Sequence, residues 1–503
     1  MASELPDYVT QAQPVPQESR AAWFKNTAPA YAGIMLWFVF WQKVAVGDGE
    51  PGGVLSQGIL VALVGLVIAA LLCHFLFYLV PGLLGTKTGL PLYVVGTSTY
   101  GVRGGLYMPG FLMGILQFGW IAVNAFFVSK LLCSCFGLDA EAPSASHGLI
   151  AAAFAILGAF VGLKGIQYVG KVATFLPIIP LVVLVILLFK TVGGLGDFTP
   201  DKVINPTKEA TTAMTASDRV QATGGGEAKA EPKKLPLSTW GVIAILCTYI
   251  VGFFATAGAA GTDMGMNNRN PKDVRLAGLS GIALATIVAG GLAILIVAGA
   301  YGGGKVLTAN LGKMDVIDLL ADLTGKGNAK IFLVLLAISS FPAVCFSAFI
   351  AANSFKTTLP KVNPWLSVGI GTAAAIVLAV TGIAGKVVLV FVVIGASFGP
   401  VCGAMAADYL LAGRKWAGPR ASFNPAGWIS WIVGFAVGAA EFIAMIPGLG
   451  GLKGVVPVPP VAAFVVGFVL YIILAKIGLT TRSMEMPSAA PTAPVAPAGG
   501  EVS

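Results

Sequence analysis

Three residues at helical spacing give the first indication of a binding site. Gln117, Trp120 and Asn124 are three and four residues apart, so they share one face of a helix. An indole beside amide donors and acceptors suits a flat heterocyclic solute, because stacking supplies affinity and unpaired amides penalise an analogue that lacks matching groups. The alternative is ordinary packing, in which the tryptophan fills a helix interface and the amides bond across helices.

A second candidate stretch, residues 248–275, changes character along its length. It begins as an apolar helix, passes into the small residues 255–261 and continues as the polar run 262–271. Because a membrane-spanning helix needs about 20 apolar residues, this change predicts a helix that unwinds at membrane depth. Freed carbonyls and half-helix ends would bind a cation and a polar solute. The alternative is a small-residue packing face.

The side chains just before this predicted break are candidates for the same solute. Phe254 could close the other side of a ring that stacks on Trp120. Thr256, with free backbone around Gly258, could bond the edge of that ring. The alternative for Phe254 is a core aromatic with no ligand.

Two adjacent hydroxyls suggest a cation site on the predicted eighth span. Ser339 and Ser340 precede Phe341 and Pro342, and proline disturbs a helix. Hydroxyl oxygens near a disturbed helix can join backbone carbonyls around Na⁺. The alternative is that the serines bond back to carbonyls of their own helix.

Charged residues inside spans are costly and suggest function by default. Those in or at the ends of the predicted spans are Lys43, Lys130, Asp263, Asp408 and Glu441. We expect the lysines to snorkel, Glu441 to be structural, and the aspartates to pair with Arg269 or Arg414. A proton relay needs a charge beside the proposed site at mid-membrane, so Na⁺ is the favoured coupling ion and H⁺ the other choice.

Composition places the chain among polytopic membrane proteins. Of its 503 residues, 56% are hydrophobic and 11% charged, with a mean hydropathy of +0.86. The net charge of +9 does not indicate nucleic-acid binding, because the basic residues are scattered through loops. Six cysteines without ligand spacing and two histidines give no metal pattern. Without a nucleophile–base or metal constellation, an enzyme and a cofactor are not expected.

Hydropathy predicts an all-α protein with twelve spans. They lie near 29–46, 55–79, 109–132, 148–161, 172–188, the broken sixth span, 277–301, 331–352, 365–384, 387–411, 427–446 and 461–477. Alternate loops are basic, which predicts cytoplasmic termini. Residues 1–27 are expected to form a flexible arm, and residues 483–503 a disordered tail.

The spacing also divides the transporter domain, 28–482, into two five-helix halves. The first repeat covers 28–191 and the second 237–413, separated by an external polar loop at 192–236 and followed by helices 11 and 12 in 414–482. The first and sixth spans would each open a half and are each irregular near a glycine. Because each half has an odd number of spans, the second half must cross the membrane in the opposite orientation to the first. Inverted repeats of this kind place a binding site near the middle of the membrane.

Several stretches together resemble the nucleobase:cation symporter-1 family, and within it the bacterial cytosine permeases. The matching stretches are 14–20, 85–90, 100–104, 117–120, 251–263 and 399–409. The resemblance, which runs from Pro14 to about Leu479, implies a leucine-transporter-type 5+5 inverted repeat plus two C-terminal helices. It also implies inward transport of a nucleobase-like ring with a cation.

The resemblance further implies roles for individual residues. Trp120 and Phe254 would sandwich the base, and Gln117 and Thr256 would bond it. The cation would lie between the first-helix break near Gly33 and the hydroxyl pair Ser339 and Ser340.

Two departures from the family pattern bear on the substrate. Phe341, Pro342 and Ala343 stand where cytosine permeases carry a polar run on helix 8, and Phe253 replaces the usual serine of helix 6. Some contacts to the substrate edge should therefore be missing. A larger or less polar ring, such as a purine, hydantoin, allantoin or a vitamin-like pyrimidine, fits this pattern as well as cytosine.

The sequence therefore predicts a monomeric secondary transporter in the cell membrane that imports a nucleobase or related planar heterocycle by cation symport. The alternative is a carrier of another small solute, such as an amino acid, on the same fold. A receptor that binds the solute without moving it is less favoured, because the long cytoplasmic domain expected of a sensor is lacking.

Overall fold

The protein is built from helices. The computed structural model describes residues 5–35, 50–165, 176, 178–204, 235–304, 320–321 and 323–486. Across these residues β-pairing is limited to two isolated bridges, Ala21 with Asn268 and Arg420 with Ser483. The predicted all-α class is confirmed.

Nine helices of the described part are long and apolar enough to cross a membrane, and two more are apolar but shorter. With the first helix they are labelled α1 (Thr27–Met35), α2 (Ile59–Thr88), α3 (Leu106–Phe136), α4 (Ala145–Lys164), α5 (Ile178–Asp197), α6 (Thr239–Ala259), α7 (Pro271–Gly302), α8 (Lys326–Thr358), α9 (Pro364–Val380), α10 (Val387–Leu411), α11 (Pro425–Gly438) and α12 (Pro459–Lys476). The rest of the first span beyond Met35, with Lys43, lies outside the described residues, as do 205–234 of the polar loop and 487–503 of the tail.

The sequence predicts that the second span ends near residue 79, before Pro81 and Gly82, but the helix runs past both residues. A π-helical turn, Cys73–Tyr78, precedes the proline, and the helix continues to Thr88. The π turn is wider than an α-helical turn, so it shifts the pairing of backbone N–H and C=O groups. The shift comes just before Pro81, which has no N–H to donate. Gly85 then packs against a short helix, Gly261–Gly265, so closely that a Cβ would overlap the carbonyl oxygen of Thr262.

The predicted unwinding over residues 255–261 is wrong. α6 stays helical to Ala259, and one residue, Ala260 (φ −61°, ψ −8°), separates it from the helix Gly261–Gly265. The small residues serve contacts: the Tyr31 hydroxyl of α1 donates to the Ala257 carbonyl at 2.8 Å. Neighbouring helices cover this backbone, and the chain keeps its helical hydrogen bonds here. The helix is therefore interrupted only at Ala260.

The helices form two groups that meet at α6 and α10. α3 packs on α4, α8 and α9, whereas α1, α2, α6 and α7 pack on one another. α10 contacts α6 on one side and α11 and α12 on the other. The centre of the molecule therefore lies where α3, α6 and α10 approach.

The N-terminal arm, predicted to be flexible, is docked on the helices over its described residues. The Val15 N–H donates to the Gly89 carbonyl at 2.9 Å, and the Arg20 guanidinium donates to the Thr86 carbonyl at 2.7 Å. The Gln17 amide donates to the Arg269 carbonyl, also at 2.7 Å. The arm is thus fixed against the end of α2 and the connection between α6 and α7.

Candidate functional site

Trp120 lies on α3 with its indole turned into the protein. Its Nε1–H donates to the Thr256 hydroxyl of α6 at 3.1 Å. The ring meets Phe253 edge-on, with centroids 5.0 Å apart, and tilts against Phe391 of α10 at 5.5 Å. The indole is therefore buried between helices, with α6 and α10 as its partners, and its role in binding stays a prediction.

The rings around Trp120 form a small cluster, which we call the aromatic site: Trp120, Tyr249, Phe253, Thr256 and Phe391. Phe253 and Phe391 meet at 76° with centroids 5.6 Å apart, and Tyr249 and Phe391 at 86° and 6.1 Å. Edge-to-face pairs at such distances are favourable beyond their buried area. The site presents aromatic faces and edges at the meeting point of three helices.

Phe254 is not the partner of Trp120. It is fully buried, and its ring tilts against Tyr31 of α1 at 5.8 Å. Successive residues of a helix are about 100° apart around the axis, so Phe253 points to α3 and Phe254 to α1. The predicted sandwich between Trp120 and Phe254 is thus corrected to a contact between Trp120 and Phe253.

The two amides on the Trp120 face are buried, at 4% exposure for Gln117 and 3% for Asn124. Gln117 Nε2 donates to the Met113 sulfur at 3.4 Å. Asn124 Nδ2 donates to the Trp120 carbonyl at 2.8 Å, while its buried Oδ1 finds no partner in the described part of the protein. Buried polar atoms are normally satisfied, so this oxygen is available to accept from a bound molecule.

Gly258 is not part of the aromatic site. A Cβ at this position would lie 2.6 Å from the Cβ of Phe77, because α6 and α2 approach closely there. The glycine therefore serves helix packing, which was the alternative interpretation of the small-residue run.

The three predicted Na⁺ ligands, Gly33, Ser339 and Ser340, all lie in the described part of the protein. Ser339 and Ser340 both donate to the Leu336 carbonyl, at 2.8 and 3.1 Å, as expected of serines that bond back to their own helix. Ser340 is the one residue between the two helical segments of α8. Gly33 lies in α1, whose described contacts include α7. A Na⁺ site formed by these residues stays a prediction.

The predicted aspartate pairs are wrong. Arg269 pairs with Asp273 at 3.0 Å, one helical turn away, and Asp263 instead accepts the Leu92 N–H at 2.9 Å. Asp408 pairs with Arg420 at 3.0 Å rather than with Arg414. Elsewhere in the described ranges, no three His, Cys, Asp or Glu side chains come together as a metal-ligand group.

Sequence reasoning missed the roles of Tyr249, Phe253 and Phe391. Tyr249, Phe253 and Thr256 are four and three residues apart, so they share a face of α6, and that spacing was available as a signal. Phe391 comes from a distant helix, and no local pattern marks it.

Comparisons with solved structures show which fold this is. Mhp1 in its inward-facing conformation matches with a TM-score of 0.63 and 16% identity over 96% of this chain and 97% of that one. Mhp1, a nucleobase-cation-symport-1 family transporter, also matches in a closed conformation with bromovinylhydantoin bound, at 0.59 and 14% over 94% and 96%. A Na⁺-coupled sialic acid symporter matches at 0.57 and 11% over 95% and 93%. The fold is that of leucine-transporter-type secondary transporters, and the chain is a multi-pass membrane protein.

The family follows from the sequence. The amino acid permease family model matches residues 23–359, so this chain belongs to that family. A search of curated protein sequences found no match. The protein is therefore a transporter rather than an enzyme.

Proposed function

We propose that this transporter imports a planar heterocycle of the nucleobase kind, driven by a cation. The observation that carries the proposal is the indole of Trp120, buried at the contact of α3, α6 and α10 and held by Thr256. A ring of similar size can stack on this indole if Phe391 moves aside. Stacking on an aromatic side chain is worth roughly 1–3 kcal/mol per base in nucleic-acid systems.

Polar recognition would come from the same face of α3. Asn124 Oδ1 is a buried acceptor suited to a ring N–H or exocyclic amine, and Gln117 holds a weak sulfur contact that a ligand can replace. A ligand that lacks the matching donor would leave a buried group unpaired, which costs about 1–3 kcal/mol. The family resemblance, and the bromovinylhydantoin bound to Mhp1, support a flat ring as the cargo.

The cation, the orientation and the oligomeric state are parts of the proposal. Na⁺ is supported by the hydroxyl pair Ser339 and Ser340 at the interruption of α8 and by the similarity to a Na⁺-coupled symporter. The basic loops favour cytoplasmic termini and a place in the cell membrane. We propose a monomer as the transporting unit, without nucleic-acid partners.

Uptake measurements test the proposal directly. Cells that lack their own permeases would express the protein and receive labelled cytosine, uracil, adenine, hypoxanthine or allantoin, with and without Na⁺. We expect accumulation of at least one ring. Trp120→Ala should weaken its apparent affinity about 10–100-fold, since 1.4 kcal/mol is tenfold, and Trp120→Phe should retain most of it.

A matched tryptophan serves as the control. Trp365 is 47% exposed on α9, so Trp365→Ala should leave the affinity unchanged. If no ring accumulates, or if Trp120→Ala transports as well as the unaltered protein, the stacking proposal is wrong.

The family description favours a second candidate, a carrier of amino acids. The same cells would receive a mixture of labelled amino acids. Amino acid accumulation that Trp120→Ala leaves undiminished would replace the ring proposal by this one.

A further inference from the structure

The carboxylate of Asp263 has an unusual place in the protein. It lies in the first turn of the helix Gly261–Gly265, just beyond the interruption at Ala260. The side chain is half-buried, and its Oδ1 accepts the backbone N–H of Leu92 at 2.9 Å. Within the described ranges, no lysine, arginine or histidine forms an ion pair with it.

The groups that face this carboxylate are neutral. Tyr31 of α1 and Tyr93, which follows Leu92, lie within range of its charge. The nearest helix end, that of α2, carries Lys87 and holds Arg20 of the arm. Both of these cations donate to other oxygen atoms. No described cation therefore offsets the cost of keeping Asp263 charged in a half-buried position.

A buried polar cluster surrounds the same helix turn. Thr262 Oγ1 is buried without a hydrogen-bond partner among the described residues, and Asn268 Nδ2 and the Tyr78 hydroxyl are buried beside each other without a well-formed bond. Thr262 precedes Asp263 in the same helix, and Tyr78 packs edge-on at 5.1 Å against Tyr31, which lies within range of the Asp263 charge. Buried polar atoms of this kind are satisfied by water or a ligand in folded proteins. Because an amide N–H₂ only donates, the cluster suits a water molecule, whose oxygen can accept, better than a metal ion.

We propose that Asp263, with this cluster, binds the coupling proton of the transporter. The step is a proton transfer: the carboxylate takes H⁺ from a hydronium ion, leaving water, and later returns H⁺ to water on the cytoplasmic side. This inference rests on the proposed cation-coupled transport, and it assigns the coupling to a proton at Asp263 in place of the Na⁺ that the α8 hydroxyl pair suggests.

The position of Asp263 explains how a proton would affect transport. Leu92 begins the helix Leu92–Val95 in the connection between α2 and α3, and α3 carries Trp120. An ionised acceptor makes a hydrogen bond roughly twice as strong as a neutral one. Proton binding therefore weakens a tie between the end of α6 and the segment that leads to the aromatic site. By linkage, a ligand that favours the loosened arrangement raises the affinity for the proton.

The acidity of the group agrees with this role. Asp263 lies beyond the membrane span Thr239–Ala259. Burial raises the pKa of its carboxyl to about 6, although the Leu92 N–H works in the opposite direction. The group therefore holds a proton below about pH 6 and releases it into a compartment near neutrality.

Infrared difference spectroscopy of the purified full-length protein tests the site without any substrate. Between pH 5 and 7 the unaltered protein should show a carboxylic acid band that titrates near pH 6 and disappears in Asp263→Asn. Asp139 is the matched control, because it also accepts one backbone N–H, from Glu141 at 3.0 Å, but is exposed. Asp139→Asn should leave the band intact, and a band that survives in Asp263→Asn overturns the inference.

Two milder variants keep the test decisive if Asp263→Asn fails to fold. Asp263→Glu and Tyr31→Phe keep the region packed, and each should shift the midpoint of the band. Unchanged midpoints in both variants overturn the inference.

Transport in proteoliposomes separates the coupling role from a structural one. Asp263→Asn should exchange labelled ring across the membrane at close to the normal rate but lose the accumulation that a pH gradient drives. With one proton per ring, a gradient of one pH unit can concentrate the ring about tenfold. Loss of both activities, or accumulation driven by Na⁺ and indifferent to pH, overturns the inference. If the unaltered protein exchanges no ring, the proposed function fails while the infrared result still decides the proton site.

Discussion

The aromatic site and the connection between α2 and α3 are held together by different forces. In the site, Trp120, Phe253 and Phe391 meet ring to ring, and a neutral hydrogen bond joins Trp120 to Thr256. The connection, residues 89–105, is instead bonded by polar groups from many parts of the chain. Its partners include Tyr8, Asp263, Arg420 and Asn424.

The difference indicates which region can yield during transport. Ring contacts are made with aromatic faces and edges, which a flat ligand also offers, so a ligand can replace one of the rings. Hydrogen bonds to charged groups are directional, and a partner left buried and unpaired is expensive. We therefore expect the site to rearrange around its cargo, while the connection keeps its geometry until a specific bond is released.

The largest expected effect comes from removing the charge that anchors the connection. Arg420 pairs with Asp408 at 3.0 Å and donates to the Ser98 carbonyl at 2.7 Å. Arg420→Ala leaves a buried carboxylate without its cation, which costs about 3–5 kcal/mol. Thermal unfolding in detergent should show this loss. Lys415→Ala, at an exposed neighbour, should change stability by less than about 0.5 kcal/mol, and equal effects would contradict the comparison.

The next largest effect is expected where α2 meets the helix Gly261–Gly265. Gly85→Ala would drive a Cβ into the Thr262 carbonyl and should cost about 1–3 kcal/mol or more. Gly369→Ala on α9 meets open space, so the same substitution there should be neutral or stabilise by up to about 1 kcal/mol. Unfolding midpoints of the two variants should therefore move in opposite directions, and a shared direction would mean that the close approach is not rigid.

A smaller effect is expected in the aromatic site. Thr256→Val removes the acceptor of the Trp120 indole and leaves its N–H unpaired, which should cost about 1–2 kcal/mol. Thr256→Ser keeps the hydroxyl and should cost less. If unfolding measurements give Thr256→Val a loss as large as that of Arg420→Ala, the contrast between the two regions disappears.

The smallest effect is expected in the exposed arm. Gln17→Ala removes one solvent-exposed hydrogen bond to the Arg269 carbonyl and should cost about 0.5 kcal/mol. Limited proteolysis should cut the arm faster in this variant, while thermal unfolding of the whole protein stays nearly constant. A large drop in the unfolding temperature would place the arm among the main stabilising contacts.

Much of the fold could be predicted because it follows from hydropathy. The apolar segments appear as helices near their predicted positions, and the shared face of Gln117, Trp120 and Asn124 follows from helical geometry. The choice between Phe253 and Phe254 could not be made, because it depends on which helix lies on each side of α6. The same applies to residues 255–261, where small residues are equally compatible with unwinding and with tight packing.

The arm adds a constraint on how the protein is made. Gln17 bonds to a residue 252 positions later in the chain, and Ala21 bonds to Asn267. During synthesis the arm leaves the ribosome before the spans, yet its partners exist only after the sixth span has been made. The arm must therefore dock late in assembly. An N-terminal fusion that blocks this docking should lower the amount of folded protein, even where the protein that does fold transports normally.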